Sequence, residues 1–367
     1  MSTHATPEGT SRYADRHSGA PGHFTVFEQL HISSVGFGTY LGADDDATDR
    51  AYEATIERAL TSGCNLIDTA INYRCQRSER VIGAVLKRLF ARGDLARDEV
   101  VISTKGGYLP FDSSHPVDFK SYLKTRFFDA GVMEPRDLVG GSHCMTPTYL
   151  SAQIDWSRRN LGLDTIDIYF LHNPESQLDE VSPADFHDRL RQAFALLEER
   201  VAHGEIRFYG TATWNGYRVS KGSPGHLDLN RIMALAHEVG GDGHHFRIIQ
   251  LPHNLAMPEA LIKMNQTVDG TEATALEAAF YHRLFVMASA SILQGNLASD
   301  LPDEMRSALP GLTTDAQRAI EFARSTPGVG AALVGMKSLV HVTENLAVLR
   351  QPRLTTEKFL EHFTTPP

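Results

Sequence analysis

The chain has 367 residues, 42% hydrophobic and 22% charged, enough apolar material for a buried core and too much for intrinsic disorder. Lys plus Arg number 35 against 45 for Asp plus Glu, a formal net charge of −10, so neither nucleic acid nor an anionic membrane is expected as the main partner. Three cysteines, Cys64, Cys75 and Cys144, are odd in number and outside any CxxC pair. That pattern speaks against a disulfide framework or a zinc knuckle and for a reducing cytoplasm.

Residues 1–23 are rich in Ser, Thr, Gly, Pro and His and carry no apolar signal-peptide core, so a flexible polar N-terminal arm is expected there. Residues 24–367 show no composition break and read as one domain. The alternating stretch 24–32 is expected to form a β-hairpin plugging the bottom of that domain. From there, short β-branched runs alternate with longer amphipathic ones. The strands are expected at 33–38, 65–68, 100–105, 166–172, 206–211, 246–251, 284–288 and 329–335. The helices are expected at 47–62, 78–92, 146–161, 185–203, 227–239, 271–283, 314–325 and 338–349. Thr146-Pro147 reads as a capping hydroxyl followed by proline at the first helical position. The stretch 355–367 is expected as a last helix, and the longest apolar run, 284–293, is too short to span a bilayer.

Strand then helix, eight times over, implies parallel strands joined by right-handed crossovers and closed into an α/β (β/α)8 TIM barrel, here with an N-terminal hairpin and a C-terminal extension. The open doubly wound sheet is the alternative, but Gly36-Phe37-Gly38-Thr39 misses its glycine fingerprint. Between the third strand and the third helix lie residues 106–145, about forty where a few are usual. This long loop is expected at the active site as a lid or binding loop. Its aromatic residues, Tyr108, Phe111, Phe119, Tyr122, Phe127 and Phe128, either face the mouth or build a small core of their own.

Parallel barrel strands end on one rim, so their last residues face a common cavity. Strand two ends at Asp68, strand three at Lys105 and strand four at His172, and Tyr73 follows Asp68 in the same rim loop. Each strand-end residue alone has a bland reading, Asp68 as a helix cap, Lys105 as a solvated charge and His172 as a hydrogen-bonded packing residue. Together with Tyr73 they form a proton-donating set. A cation beside a phenol is expected to draw its pKa down, Asp68 would keep Lys105 charged, and His172 would bond the oxygen being reduced. No HxH or HExxH occurs and Lys is a poor ligand, so no metal is expected.

The chain resembles the aldo-keto reductase superfamily. The resemblance rests on Asn65-Leu66-Ile67-Asp68-Thr69-Ala70 with Tyr73, on Ser103-Thr104-Lys105, on Asp167 to Pro174 around His172, and on Gly335-Met336-Lys337-Ser338 with Glu344-Asn345-Leu346. It implies a barrel that reduces aldehydes and ketones with a nicotinamide cofactor and no metal. Tyr73 would be the general acid, Lys105 its pKa modulator, Asp68 the partner of Lys105 and His172 the substrate orienter.

The resemblance also implies cofactor contacts. Thr213 stands where the family has part of a Ser-Asn pair, Gln250 fits the carboxamide position, and Ser289 stands where a stacking Tyr is common. Trp214 is left to stack on the nicotinamide or to pack in the interior. Lys337, Ser338 and Asn345 match the residues around the adenosine 2′-phosphate, whereas His341 replaces an Arg and is the weaker phosphate partner. NADPH is therefore expected and NADH is the alternative. The expected partner is a small-molecule carbonyl or alcohol, and the expected state is a monomer or weak homo-oligomer. Two other classes compete: a nicotinamide-sensing regulatory subunit of the same fold, and a metal-dependent barrel hydrolase.

Overall fold

The computed structural model describes residues 2–363. In chain order it runs α1 (Pro7–Arg16), β1 (Phe24–Phe27), β2 (Leu30–Ser33), β3 (Val35–Gly38), α2 (Asp46–Leu60), β4 (Leu66–Asp68) and α3 (Arg77–Arg92). Next come β5 (Val101–Gly106), α4 (Phe119–Leu123), α5 (Pro147–Leu161), β6 (Ile166–His172), α6 (Pro183–Ala202), β7 (Ile206–Ala212), α7 (Leu229–Gly240) and β8 (Phe246–Pro252). The rest is α8 (Glu259–Ile262), β9 (Gln266–Val268), β10 (Thr271–Ala273), α9 (Ala275–Tyr281), β11 (Phe285–Ser289), α10 (Asp303–Ala308), α11 (Asp315–Ser325), β12 (Ala331–Gly335), α12 (Leu339–Leu346) and α13 (Thr356–Phe363).

Eight strands close into a barrel in the order β11-β12-β3-β4-β5-β6-β7-β8, with β8 pairing back onto β11 and every pair parallel. The strands alternate their side chains between two cores. Inward-facing Leu66, Val101, Ile168, Phe208, Ile248 and Phe285 fill the lower barrel, and Phe27, Leu30 and Ile32 from the β1–β2 hairpin cap that layer. Outward-facing strand residues such as Ile67, Ile102, Tyr169 and Ile249 pack under the helices, against Ile56 and Val85 and, further round, Phe194 and Ile320. The barrel and its hairpin plug thus match the sequence reading. No helix among the described residues is long and apolar enough to cross a membrane.

Three expectations need correction. Residues 2–23 are not a flexible arm, and Met1 of the expected arm lies outside the described residues. The Thr6 hydroxyl accepts the Gly9 N–H at 3.0 Å, Pro7 supplies the preset first-turn φ, and α1 follows. Its Tyr13 is fully buried and donates to the Leu60 carbonyl at 2.6 Å, while Arg12 and Arg16 both reach Glu99 at 2.9 Å. The residues at 271–273 are not helical. They pair antiparallel with 266–268, and the helix begins only after Thr274, whose hydroxyl and Glu277 form a reciprocal cap. The Thr146 side chain does not cap α5; its hydroxyl lies 3.4 Å from Cys144 Sγ, and Pro147 alone marks the helix start.

Residues 106–145 take the second of the two expected courses, a small core of their own. They fold into short helical turns around their own core of Leu109, Leu123, Phe127, Met133 and Cys144, packed on Tyr149 of α5. A segment of forty residues needs such a core to offset its ordering entropy. Of the expected tail helix, the last four residues lie outside the described residues; Phe359 of α13 is buried against Phe322 and Phe363.

Candidate active site

Strand register delivers the rim residues. Asp68 sits level with Gly38 on one side and Ser103 on the other, and His172 is level with Ala212, which in turn is level with Gln250. Lys105 lies one pleat beyond Ser103 on the same face of β5, so its stem rises from within the barrel toward Asp68. Gly106 ends that strand where a Cβ would overlap the Tyr169 hydroxyl, so the turn out of β5 requires glycine.

Asp68 and Lys105 are both buried, with their charges 2.6 Å apart. The ammonium uses all three of its protons, donating to Asp68 Oδ2 at 2.6 Å, to the Thr69 carbonyl at 2.8 Å and to Tyr73 Oη at 3.3 Å. The second carboxylate oxygen accepts from Ser103 Oγ at 2.8 Å and Gln250 Nε2 at 2.9 Å. Burial works to pull Lys105 down, but Asp68 and the Tyr73 oxygen outweigh it and hold the ammonium above its ordinary range. Tyr73 departs from expectation. Burial pushes its phenol up, and the opposing pull of Lys105 does not cancel that, so the phenol keeps its proton.

His172 stands edge-on to Tyr73, ring centres 5.8 Å apart, and edge-on to Tyr108 at 5.0 Å. Burial and, next, Lys105 hold it well below the ordinary histidine value, so it is a neutral imidazole at neutral pH. Its Nδ1 is buried without a hydrogen-bond partner among the described residues. An N–H there would be stranded, which favours the tautomer with the proton on Nε2.

These groups line a cavity of about 460 Å³, walled by Tyr40, Tyr73, Tyr108, His172 and Trp214. Asp68, Gln250, Thr213 and Ser289 also line it, whereas Lys105 stands behind the lining, bonded to Asp68 and Tyr73. Trp214 is 42% exposed on the cavity wall, which sets aside the interior-packing alternative. The buried Glu175 holds it there, one carboxylate oxygen accepting the backbone N–H groups of Trp214, Asn215 and Gly216 at 2.8, 3.0 and 3.2 Å. The structure does not bring Lys337, Ser338, His341 and Asn345 into this cavity. They lie beyond Gly335, on the turn into α12 and on that helix, with Ser338 Oγ accepting the His341 N–H at 3.2 Å. Lys337 and His341 are exposed and Asn345 is buried.

Sequence reasoning missed Tyr40 as a wall residue, although it follows the first barrel strand by the same rim logic that found the others. It also missed the backbone at 74–76, where Arg74, Cys75 and Gln76 all adopt left-handed φ of 49°, 55° and 69°. Strain of about 1–3 kcal/mol per such residue persists only when neighbours over-determine it. Arg74 does so by donating to the Ala43 carbonyl at 2.7 Å and pairing with Asp49 at 2.5 Å, and Gln76 by donating to the Phe111 carbonyl at 2.8 Å. The loop carrying Tyr73 is thus tied to the loops on both sides.

A nicotinamide carboxamide needs both a donor and an acceptor. Among the described residues the Thr213 hydroxyl is buried and unpartnered on the cavity wall, and the Gln250 carbonyl oxygen makes no hydrogen bond. With Trp214 as a flat face beside them, the residues present fit that group.

The chain is thus a closed parallel barrel whose C-terminal rim carries a phenol, an ammonium, a carboxylate and an imidazole. This chain matches the Aldo/keto reductase family over residues 34–223, more than half its length, and belongs to that family. Over 188 residues it is 33% identical to a D-threo-aldose 1-dehydrogenase of a Pseudomonas species, covering 49% of this chain and 50% of that protein. It is also 28% identical over 188 residues to an NADH-specific methylglyoxal reductase of Escherichia coli (strain K12), covering 50% of this chain and 49% of that protein. The chain therefore spans about half the length of the curated relatives it matches. An aldo/keto reductase from Klebsiella pneumoniae, solved in complex with NADP and acetate, shares the fold with a TM-score of 0.62 and 21% identity, covering 95% of this chain and 96% of that one.

Proposed function

We propose that this chain interconverts a small aldehyde or ketone and its alcohol with a nicotinamide cofactor bound at the rim cavity. The observation that carries the reading is the Lys105 ammonium bonded at once to Asp68, Thr69 and Tyr73, with Tyr73 open to the cavity. A nicotinamide held there would supply the hydride for the carbonyl carbon. Tyr73 gives its proton to the carbonyl oxygen, and Lys105 stabilises the phenolate left behind. Its effect is greatest at that moment, because a fixed ammonium 3.3 Å away in a buried site interacts with a phenolate far more strongly than with a phenol. His172 donates from Nε2 to the same carbonyl oxygen and fixes its orientation. Asp68 keeps Lys105 charged, and Gln250 helps to hold Asp68.

Thr213, Gln250, Ser289 and Trp214 would bind the nicotinamide end, and Lys337, Ser338, His341 and Asn345 the adenosine end. NADPH is the first choice, in keeping with the Klebsiella complex, and NADH the alternative, in keeping with the NADH-specific relative. The reading includes action in the cytoplasm as a monomer or weak homo-oligomer, on a small molecule and not on nucleic acid or membrane.

A panel of aromatic and sugar-like carbonyls assayed with both cofactors tests this. Wild-type turnover should fall about 10²–10⁴-fold in Tyr73→Phe, with cofactor affinity nearly unchanged. Cofactor binding with no turnover on any carbonyl would favour the sensor alternative, and full activity in Tyr73→Phe would overturn the reading.

A further inference from the structure

Three rim loops meet beside the cavity, outside its lining. The loop after β3 brings Asp44, the loop after β4 brings Cys75, and the long loop after β5 brings His115. One ligand-type atom from each, a carboxylate oxygen, a thiol sulfur and an imidazole nitrogen, lies within 4.8 Å of the other two. At spacings of 31 and 40 residues no sequence motif announces them.

The neighbourhood is arranged for this meeting. The left-handed backbone at Cys75 (φ 55°) turns its side chain to Asp44, to which the thiol donates at 3.3 Å. The Ser113 N–H donates to the Cys75 carbonyl at 2.8 Å, which anchors His115 two residues on. Phe111 packs on the His115 ring at 4.8 Å. Charge points the same way. Arg74 and Arg77 are both taken up by Asp49, Arg77 also by Asp46, and Arg80 by Asp112, whereas Asp44 makes no ion pair among the described residues. Cys75 is buried, Asp44 half-buried and His115 exposed, so an ion has a route in from solvent.

We propose that Asp44, Cys75 and His115 form a three-ligand site for a zinc-class divalent cation that fastens the Tyr73 loop to the loops on either side. The donor set selects the metal. Thiolate with imidazole and one carboxylate suits Zn²⁺ or Co²⁺ and disfavours Mg²⁺ and Ca²⁺, which take oxygen ligands. In a tetrahedral site with bonds of about 2.0–2.3 Å the ligand atoms stand about 3.3–3.8 Å apart, so the present cluster needs to contract by about 1 Å. The exposed His115 side chain has the freedom to supply that movement. Binding exchanges the thiol proton for the cation. The S–H bond breaks, the proton leaves to solvent, a metal–sulfur bond forms, and water fills the fourth position.

The probe is Co²⁺ titrated into the reduced, metal-stripped full chain. The expected result is a thiolate-to-cobalt absorption band in the near ultraviolet that saturates at one equivalent and is displaced by Zn²⁺. Cys75→Ser should abolish the band, and His115→Ala, an exposed change that leaves the fold intact, should weaken Co²⁺ binding at least tenfold. Zn²⁺ should also slow proteolysis within residues 106–145 in the wild type but not in Cys75→Ser. No band at millimolar Co²⁺, a band that survives Cys75→Ser, or unchanged affinity in His115→Ala would each overturn the site. None of these readouts depends on carbonyl turnover, so the reductase reading stands or falls separately.

Discussion

Asp68→Asn isolates the pair on which the proposed chemistry rests. The change keeps shape and leaves an oxygen to accept from Ser103 Oγ, but it removes the carboxylate paired with an ammonium that is 1% exposed. Removing one partner of a buried ion pair costs roughly 3–5 kcal/mol, because the remaining charge stays desolvated. With an unfolding entropy of about 2.1 cal/mol/K per residue, a chain of 367 residues loses about 0.8 kcal/mol per kelvin, so the expected fall in Tm is about 4–6 K.

The pH dependence gives a second, independent signature. In the wild type Lys105 is held above its ordinary value of 10.5, so its contribution is fully present below pH 10.5 and is lost as pH rises through the higher folded value. In Asp68→Asn the carboxylate no longer opposes burial, and the folded value drops below 10.5. The unfolded chain then binds the extra proton, and the variant gains stability as pH rises toward 10.5. The stability gap should therefore narrow from pH 7 to pH 10 in urea melts. A Tm within 1 K of wild type, or a gap that stays constant with pH, would refute the account of Lys105.

Three more outcomes can be measured directly. Burial lowers His143 and His253 to about 4, so the stability each carries as a neutral group is present above pH 6.5 and lost as pH falls toward 4. By pH 5 the loss should reach roughly 2 kcal/mol each, and a flat urea midpoint between pH 7 and 5 would contradict this. Tyr13→Ala should cost about 3–5 kcal/mol and expose the first sixteen residues to protease, since the ring is fully buried; a loss under 1 kcal/mol would return the N-terminus to the flexible arm expected from sequence. Thr213→Val should weaken nicotinamide cofactor binding about 5–10-fold by fluorescence quenching, yet leave the apoprotein at least as stable, because it deletes an unpartnered buried hydroxyl. Unchanged affinity would remove Thr213 from the cofactor site.

The barrel was legible because its signal is local. A β-branched run ending in a polar residue, followed by an amphipathic stretch, reports its own strand and helix, and parallel closure puts all the run endings on one rim. Asp68, Lys105 and His172 could therefore be named from where their strands stop, and Tyr73 from its place one loop further on. The helix α1 was missed because its polar composition resembles a linker, although the Thr6-Pro7 cap was present in the chain. What holds that helix is Leu60 and Glu99, far away in sequence.

Sequence by itself determined the strand–helix alternation, the rim residues and the family resemblance, since each depends on residue type and on neighbours along the chain. Tertiary structure decided the rest. It set the direction of the Tyr73 shift, in which burial outweighs an adjacent cation. It gave residues 106–145 a core of their own, placed Trp214 on the cavity wall through Glu175, and brought Asp44, Cys75 and His115 together from three loops. Desolvation and contacts between distant loops exist only once the chain has closed on itself, and no pattern along one strand encodes them.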